Sequence, residues 1–304
     1  MLRKLELYLE LSKPRLSALA VFSGLTGYVM ARDPNLSFTM KNWMELLWLF
    51  VGLCFVGVAS NMVNQAIEGK LDSEMDRTKD RPIPSGRITA KETTIVAIIS
   101  LAIGLGILDY FFRREVMLLN LFTFISYVAI YTPMKTRTAM NTIAGAFPGA
   151  FPILSGWIAG SNNSFHAPEL YANNTEWFGF FPFALVFIWQ LPHFFSIAWI
   201  YKEDYERAGY KMMSLYDKTG RQAVVLIFVG TIGTIFVSYL PFFYNMCDVI
   251  YFFVACLLNC YLLISSILLM KDRQKYMKQY FYASIIWLPA ILTAMLIFLT
   301  LELK

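Results

Sequence analysis

The sequence predicts an all-α integral membrane protein of nine transmembrane helices. Three observations predict it. The 304 residues are only 15% charged, and their mean hydropathy of +0.52 is far from that of a soluble domain. Runs of about 20 apolar residues recur along the whole chain, the length a helix needs to cross the hydrocarbon core of a bilayer. The runs are continuous rather than alternating, which excludes a barrel, and a helix satisfies its own backbone in lipid.

The runs fall at 15–31, 45–67, 94–112, 116–132, 140–160, 178–200, 223–244, 248–270 and 281–301. They leave no room for a second domain, so residues 1–304 read as one polytopic unit. Of the 26 basic residues, all but Arg32, Lys41, Arg113, Arg114 and Lys304 fall on one side of this nine-span arrangement. By the positive-inside rule that side is cytoplasmic, with the N-terminus on it and the C-terminus opposite. The net charge of +5 therefore belongs to a membrane surface in contact with lipid and points to no nucleic acid. The first apolar run is followed by further spans, unlike a cleavable signal, and Glu6 and Glu10 argue against an organelle transit peptide. A bacterial inner membrane is the expected location. Cys54, Cys247, Cys256 and Cys260 lie in or beside spans without metal or redox spacing. Sequons at Asn35, Asn162 and Asn173 mark polar loops on the far side.

Taken in order, Pro14 suits the first turn of span 1, and Lys13 and Arg15 beside it suit either lipid headgroups or an anionic ligand. Span 2 is predicted to continue as a helix to about Lys79 and to stop before the turn Arg81-Pro82-Ile83-Pro84-Ser85-Gly86. Thr89 with Glu92 forms a capping box for span 3. Spans 3 and 4 read as scaffold. Span 5 carries Gly145-x3-Gly149, a spacing for close helix approach, and Pro148 and Pro152, which bend a helix and often border a cavity. Span 6 ends in Trp189-Gln190-Leu191-Pro192-His193. Spans 2 and 6 alone are followed by long mixed-charge loops, about 68–92 and 201–222, which read as a cap.

Asn64, Glu68 and Asp72 are spaced i, i+4, i+8, so a helix sets three oxygen-bearing side chains on nearly one face over a rise of about 12 Å. That set suits Mg²⁺, which takes a few carboxylates together with phosphate oxygens and water. Arg77, Lys79 and Arg81 beside it suit a phosphate held by both metal and guanidinium. The same spacing also fits a solvated helix end whose charges simply pair. Lys135 and Arg137 stand on the same face, either completing an anion site or fixing topology. His193 is a titratable group at membrane depth, where polarity costs free energy and marks function by default; it is the chain's natural iron ligand or general base. Asp204 follows eleven residues later. A continuous helix would put Asp204 at the mouth of one cavity and His193 about 16 Å deeper.

These residues together resemble the intramembrane prenyltransferases of the UbiA superfamily, and within it the heme branch. Lys13-Pro14-Arg15 is similar to the family's opening signature, and Asn64-x3-Glu68-x3-Asp72 with Met75-Asp76-Arg77-Thr78 and Arg81-Pro82 to its first acidic motif, with Glu68 where Asp is usual. Tyr131-Thr132 with Lys135, Asn141-Thr142 with Gly145, and above all Trp189-Gln190-Leu191-Pro192-His193-Phe194 followed by Asp204-Tyr205, Gly209 and Met212-Met213 extend the likeness over nearly the whole chain. The resemblance implies nine helices around a central cavity. It implies Mg²⁺ on Asn64, Glu68 and Asp72, farnesyl diphosphate neutralised by Arg77, Arg81 and Lys135, and catalytic roles for Asn64, Glu68, Asp72, His193 and Asp204. It further implies heme b (protoheme IX) as acceptor, met by His193, and heme O as product. The thin second acidic motif, Asp204 with Glu203 and Glu206, implies that Lys202 or Arg207 meets phosphate or a heme propionate. Enzymes of this kind supply terminal oxidases, so contact with heme A synthase or an oxidase assembly would follow from resemblance alone. A quinone-type aromatic polyprenyltransferase would not need His193. A secondary transporter would place its charges near the midplane in broken helices, whereas here they gather at one face.

Overall fold

The computed structural model describes residues 2–32, 37–161, 176–217 and 219–300. The three sequons and the side chain of Arg15 lie outside the described residues. The chain folds into α1 (Leu2–Ser12), α2 (Pro14–Met30), α3 (Met40–Asp72), α4 (Ala90–Phe111), α5 (Arg114–Met134), α6 (Asn141–Gly160), α7 (Phe180–Ile200), α8 (Lys202–Arg207), α9 (Met213–Tyr216), α10 (Arg221–Phe243), α11 (Val249–Lys271) and α12 (Arg273–Ile297). Eight of these are long and apolar enough to cross a membrane, and α2 supplies a shorter apolar helix where the first span is expected. No named strand occurs among the described residues. α1 was not anticipated; Lys13, in the left-handed region at φ 49°, turns the chain from it into α2, with Pro14 at the first helical position.

Two buried apolar clusters divide the bundle. One joins Tyr28, Leu49, Val56 and Leu108 of α2, α3 and α4. The other joins Ile153, Trp189, Ile227, Tyr251 and Trp287 of α6, α7, α10, α11 and α12. α2 and α6 close the seam between them by direct backbone contact. A Cβ on Gly156 would stand 1.7 Å from the Gly24 carbonyl, and one on Gly160 would stand 2.1 Å from the Tyr28 carbonyl. Only glycine permits that approach. Gly145 and Gly149, expected at a close helix contact, clear space for the Tyr131 ring of α5 and the Gln190 amide of α7.

α3 rises about 50 Å over its 33 residues, well beyond a hydrocarbon core of about 30 Å. Its last turns, bearing Asn64, Glu68 and Asp72, therefore reach the cap. The helix stops at Asp72, short of the expected Lys79. Residues 73–87 fold as successive turns, held by Thr78 Oγ1 donating to the Asp72 carbonyl (2.8 Å) and by Gly86 at φ 72°. Arg87 clamps this loop to Glu10 of α1 through two 2.9 Å bonds. Thr89 caps α4 as expected, accepting from the Glu92 amide at 3.1 Å. The Glu92 carboxylate does not reciprocate; it accepts from Lys4 (2.9 Å) and Tyr8 (3.0 Å) of α1.

The second cap loop is stitched to the same face. Lys211 N donates to the Lys135 carbonyl (2.6 Å), Asn141 Nδ2 to the Lys211 carbonyl (2.9 Å), and Arg207 pairs with Asp76 (2.6 Å). The N-terminal segment and the connections after α3, α5 and α7 thus form one surface. At the opposite end, the last described residues pair with the α10–α11 turn, Thr300 N donating to the Met246 carbonyl at 3.0 Å.

Candidate active site

On α3 the cap holds two buried carboxylates, each facing a cation. Asn64, Glu68 and Asp72 are 1%, 4% and 1% exposed. Arg81 Nη1 lies 2.8 Å from Asp72 Oδ2, and Lys135 Nζ lies 2.7 Å from Glu68 Oε1. The Lys135 contact is off the direction a hydrogen bond needs, so Glu68 Oε1 has a counter-charge and no hydrogen-bond donor. Asn64 Nδ2 donates to Thr132 Oγ1 (3.1 Å), which turns its amide oxygen the other way. Lys135 also lies over the Tyr131 ring at 4.7 Å. Lys13 belongs to the same group: burial first, then the cations of Arg81 and Lys135, bring its ammonium down to about 7.

Lys135 reaches Glu68 because α5 changes pitch. Residues Ser126–Tyr131 form a π-helical turn, a distortion that recurs at functional sites. Tyr127 and Tyr131, with ring centroids 5.4 Å apart, both face the cavity beneath the cap. Sequence reasoning missed Tyr127. The signal was available, since Tyr127, Tyr131 and Lys135 stand at i, i+4 and i+8.

Below the cap a cavity of about 300 Å³ opens between the two apolar clusters. It is bordered by Val56 and Asn61 on one side, Pro148 and Pro152 of α6 as expected of bent helices, and Gln190 and His193 on the other. His193, 8% exposed, is stacked between Trp189 (4.7 Å, 16°) and Phe281 (5.1 Å, 19°). Its Nδ1 lies 2.8 Å from Ser284 Oγ.

The structure brings Asn64, Glu68, Asp72, Arg81 and Lys135 together, with His193 across the cavity, and leaves Arg77 and Asp204 outside that group. α7 ends at Ile200 and the chain bends at Tyr201 (φ −107°, ψ 27°) before α8. His193 and Asp204 therefore do not share a helix face, contrary to the expectation. Asp204 instead accepts from the Asp76 amide (3.3 Å) and from Arg207, tying one cap loop to the other. No cluster of three His, Cys, Asp or Glu side chains with metal-ligand spacing occurs among the described residues. Arg77 is exposed and covers the Tyr201 ring at 4.5 Å. Lys202 donates to the Asp217 carbonyl (3.1 Å) and Arg207 to Asp76 and Asp204, so both cations expected to meet the substrate have partners within the cap.

A buried row of oxygen-bearing side chains paired with Arg81 and Lys135, set over an apolar cavity, suits a molecule anionic at one end and hydrocarbon at the other. Residues 20–300 match the UbiA prenyltransferase family, and the chain belongs to that family. Among its relatives, the Protoheme IX farnesyltransferase of Opitutus terrae is 31% identical over 294 residues, 95% of this chain and 93% of that protein. The Protoheme IX farnesyltransferase of Cytophaga hutchinsonii is 31% identical over 255 residues, 84% of each. The fold is shared with a UbiA homolog from Archaeoglobus fulgidus bound to DMAPP and Mg²⁺, at a TM-score of 0.66 and 16% identity, over 95% of this chain and 98% of that one.

Proposed function

We propose that this protein transfers the farnesyl group of farnesyl diphosphate to a vinyl side chain of protoheme IX, with addition of water, giving heme O and diphosphate. One observation carries the reading: the cap pairs an acidic helix face with Arg81 and Lys135, directly above a cavity whose far wall holds His193. Full-length relatives named protoheme IX farnesyltransferase support the same acceptor.

Mg²⁺ fits the donor set of Asn64, Glu68 and Asp72. All three present oxygen, the ligand this ion prefers, and the buried Glu68 Oε1 without a hydrogen-bond donor is an atom a cation would satisfy. When bound there, Mg²⁺ would neutralise charge on the departing diphosphate. Arg81 and Lys135 are free to turn from carboxylates to phosphate oxygens once the carboxylates have another partner, and Arg77 extends the cationic rim. Asp204 contributes by ordering the cap through Asp76 and Arg207. The ring faces of Tyr127 and Tyr131 stabilise an allylic cation where it would form and exclude water from it, and His193 meets the heme. The single domain with its cap loops, about 68–92 and 201–222, lies in a bacterial inner membrane with the basic cap and N-terminus cytoplasmic.

Mass spectrometry of hemes extracted from cells with and without the protein tests this. Heme O is expected only in its presence. A farnesylated quinone precursor with unchanged hemes would replace this reading with the aromatic prenyltransferase one.

A further inference from the structure

We infer that Gln190 and His193 hold the water added in the reaction, and that His193 takes its proton in a tautomer set by Ser284. The inference rests on the farnesyl-transfer reading and assigns the step that hydrates the heme side chain.

Gln190 and His193 stand at i and i+3 on α7, neighbours on one helix face, and both border the cavity. The orientation of the Gln190 amide is fixed. Nε2 donates to the carbonyls of Ala146 (3.2 Å) and Val186 (3.2 Å), which uses both its hydrogens. Oε1 is left as an acceptor. It lies so close to Gly149 that a Cβ there would stand 1.9 Å from it.

The imidazole is fixed as well. Ser284 Oγ donates its only hydrogen to the Phe281 carbonyl at 2.7 Å. In the inferred tautomer Oγ accepts from His193 Nδ1–H, which leaves the lone pair on Nε2. Trp189 Nε1 donates to the Ser284 carbonyl (2.9 Å), holding the same turn of α12 against α7. Nε2 has no protein partner among the described residues. Two acceptors from one face of α7, both bordering the cavity, suit a ligand with two hydrogens to give, and water is that ligand.

The chemistry balances. The C1–O bond of farnesyl diphosphate breaks and its electron pair leaves with diphosphate. The vinyl π pair forms the new bond from its terminal carbon to C1, leaving positive charge on the vinyl carbon beside the porphyrin ring. The water oxygen gives a lone pair to that carbon, one of its protons passes to His193 Nε2, and the other stays on the new hydroxyl, which donates it in a hydrogen bond to Gln190 Oε1. The imidazolium so formed lies against the rings of Trp189 and Phe281, whose faces offset part of the cost of placing charge at a buried site. His193 is thus a catalytic residue and Ser284 its positioning residue. Without the held water, the same cation would lose a proton and give an alkene lighter by one water.

The test is to supply the purified protein with farnesyl diphosphate, Mg²⁺ and heme, and to measure both products by liquid chromatography and mass spectrometry. Gln190→Leu and Ser284→Ala should still farnesylate heme, with the ratio of hydrated to dehydrated product lowered about 10-fold or more. Gly149→Ala, which displaces Gln190 Oε1 without removing it, should shift the ratio in the same direction. A ratio unchanged in all three variants overturns the inference. So does a change in the axial-ligand absorption of bound heme in Ser284→Ala at constant ratio, which would make His193 an iron ligand. Absence of any farnesylated heme from the unaltered protein overturns the farnesyl-transfer reading itself, and the inference with it.

Discussion

The cap and the cavity satisfy their buried polar groups in opposite ways. Where the cap meets the cavity, charge answers charge: Glu68 faces Lys135 and Asp72 faces Arg81, and at the exposed surface Asp76 faces Arg207. In the cavity the polar groups are neutral and bind fixed partners. Asn61 donates to the Ser12 carbonyl (2.9 Å), Asn120 to Ser155 Oγ (2.6 Å), and Gln190 to the Ala146 carbonyl (3.2 Å). An ion pair can be exchanged for a ligand of the same charge, whereas a hydrogen bond to a helix carbonyl positions its side chain permanently. On the proposed function, one end of the substrate pair would be met by re-pairing charges and the other by a preformed shape.

The strongest way to break that contrast is Lys135→Met, which strands Glu68 as a buried charge. A loss of about 3–5 kcal/mol is expected, read as lowered thermal stability in detergent, with Glu68→Gln in the same chain restoring most of it. A single variant as stable as the parent would mean that the cap does not rest on paired charges. Next in size, Asp72→Ala should reduce farnesyl transfer about 10²–10³-fold while membrane insertion and heme binding persist; an active variant would remove the metal–diphosphate assignment. On the cavity side, His193→Ala should lower formation of the hydrated product about 10²-fold, with the KM for farnesyl diphosphate moving less than about threefold. Equal effects on both substrates would dissolve the division of labour. Finally, Arg81→Gln should raise the KM for farnesyl diphosphate about 10-fold, and Arg77→Gln no more than about twofold, because Arg77 is exposed and its charge is screened by solvent. Equal shifts would place Arg77 on the phosphates too.

The two regions also differed in how far the sequence revealed them. The spans, the shared face of the two cap loops and the oxygen row of α3 were legible because they rest on helical period and charge bias, both local properties. What escaped depends on tertiary context. Asp72 ends α3 because the Thr78 hydroxyl and the turns after it take over its carbonyl, a contest that helix propensity does not record. Tyr201 breaks α7 without proline or glycine, so Asp204 appeared to share a face with His193. Gly145-x3-Gly149 had the spacing of a helix contact and meets side chains of α5 and α7, but which glycines bring backbones together, Gly24, Gly156 and Gly160, depends on how α2 packs on α6. Ser284 lies some ninety positions from His193, and only the packing of α12 on α7 joins them.

The π-helical turn in α5 has a consequence for how the two regions stay in register. It holds one backbone unit more than an α-helix would between Ser126 and Tyr131. Wound at ordinary α pitch with the same number of residues, the turn would carry everything after it round by about 100°, swinging Lys135 away from Glu68 while leaving every side chain of the site intact. The alignment of cap and cavity is thus a counting property of the main chain, set by the same turn that carries Tyr127 and Tyr131 to the cavity wall.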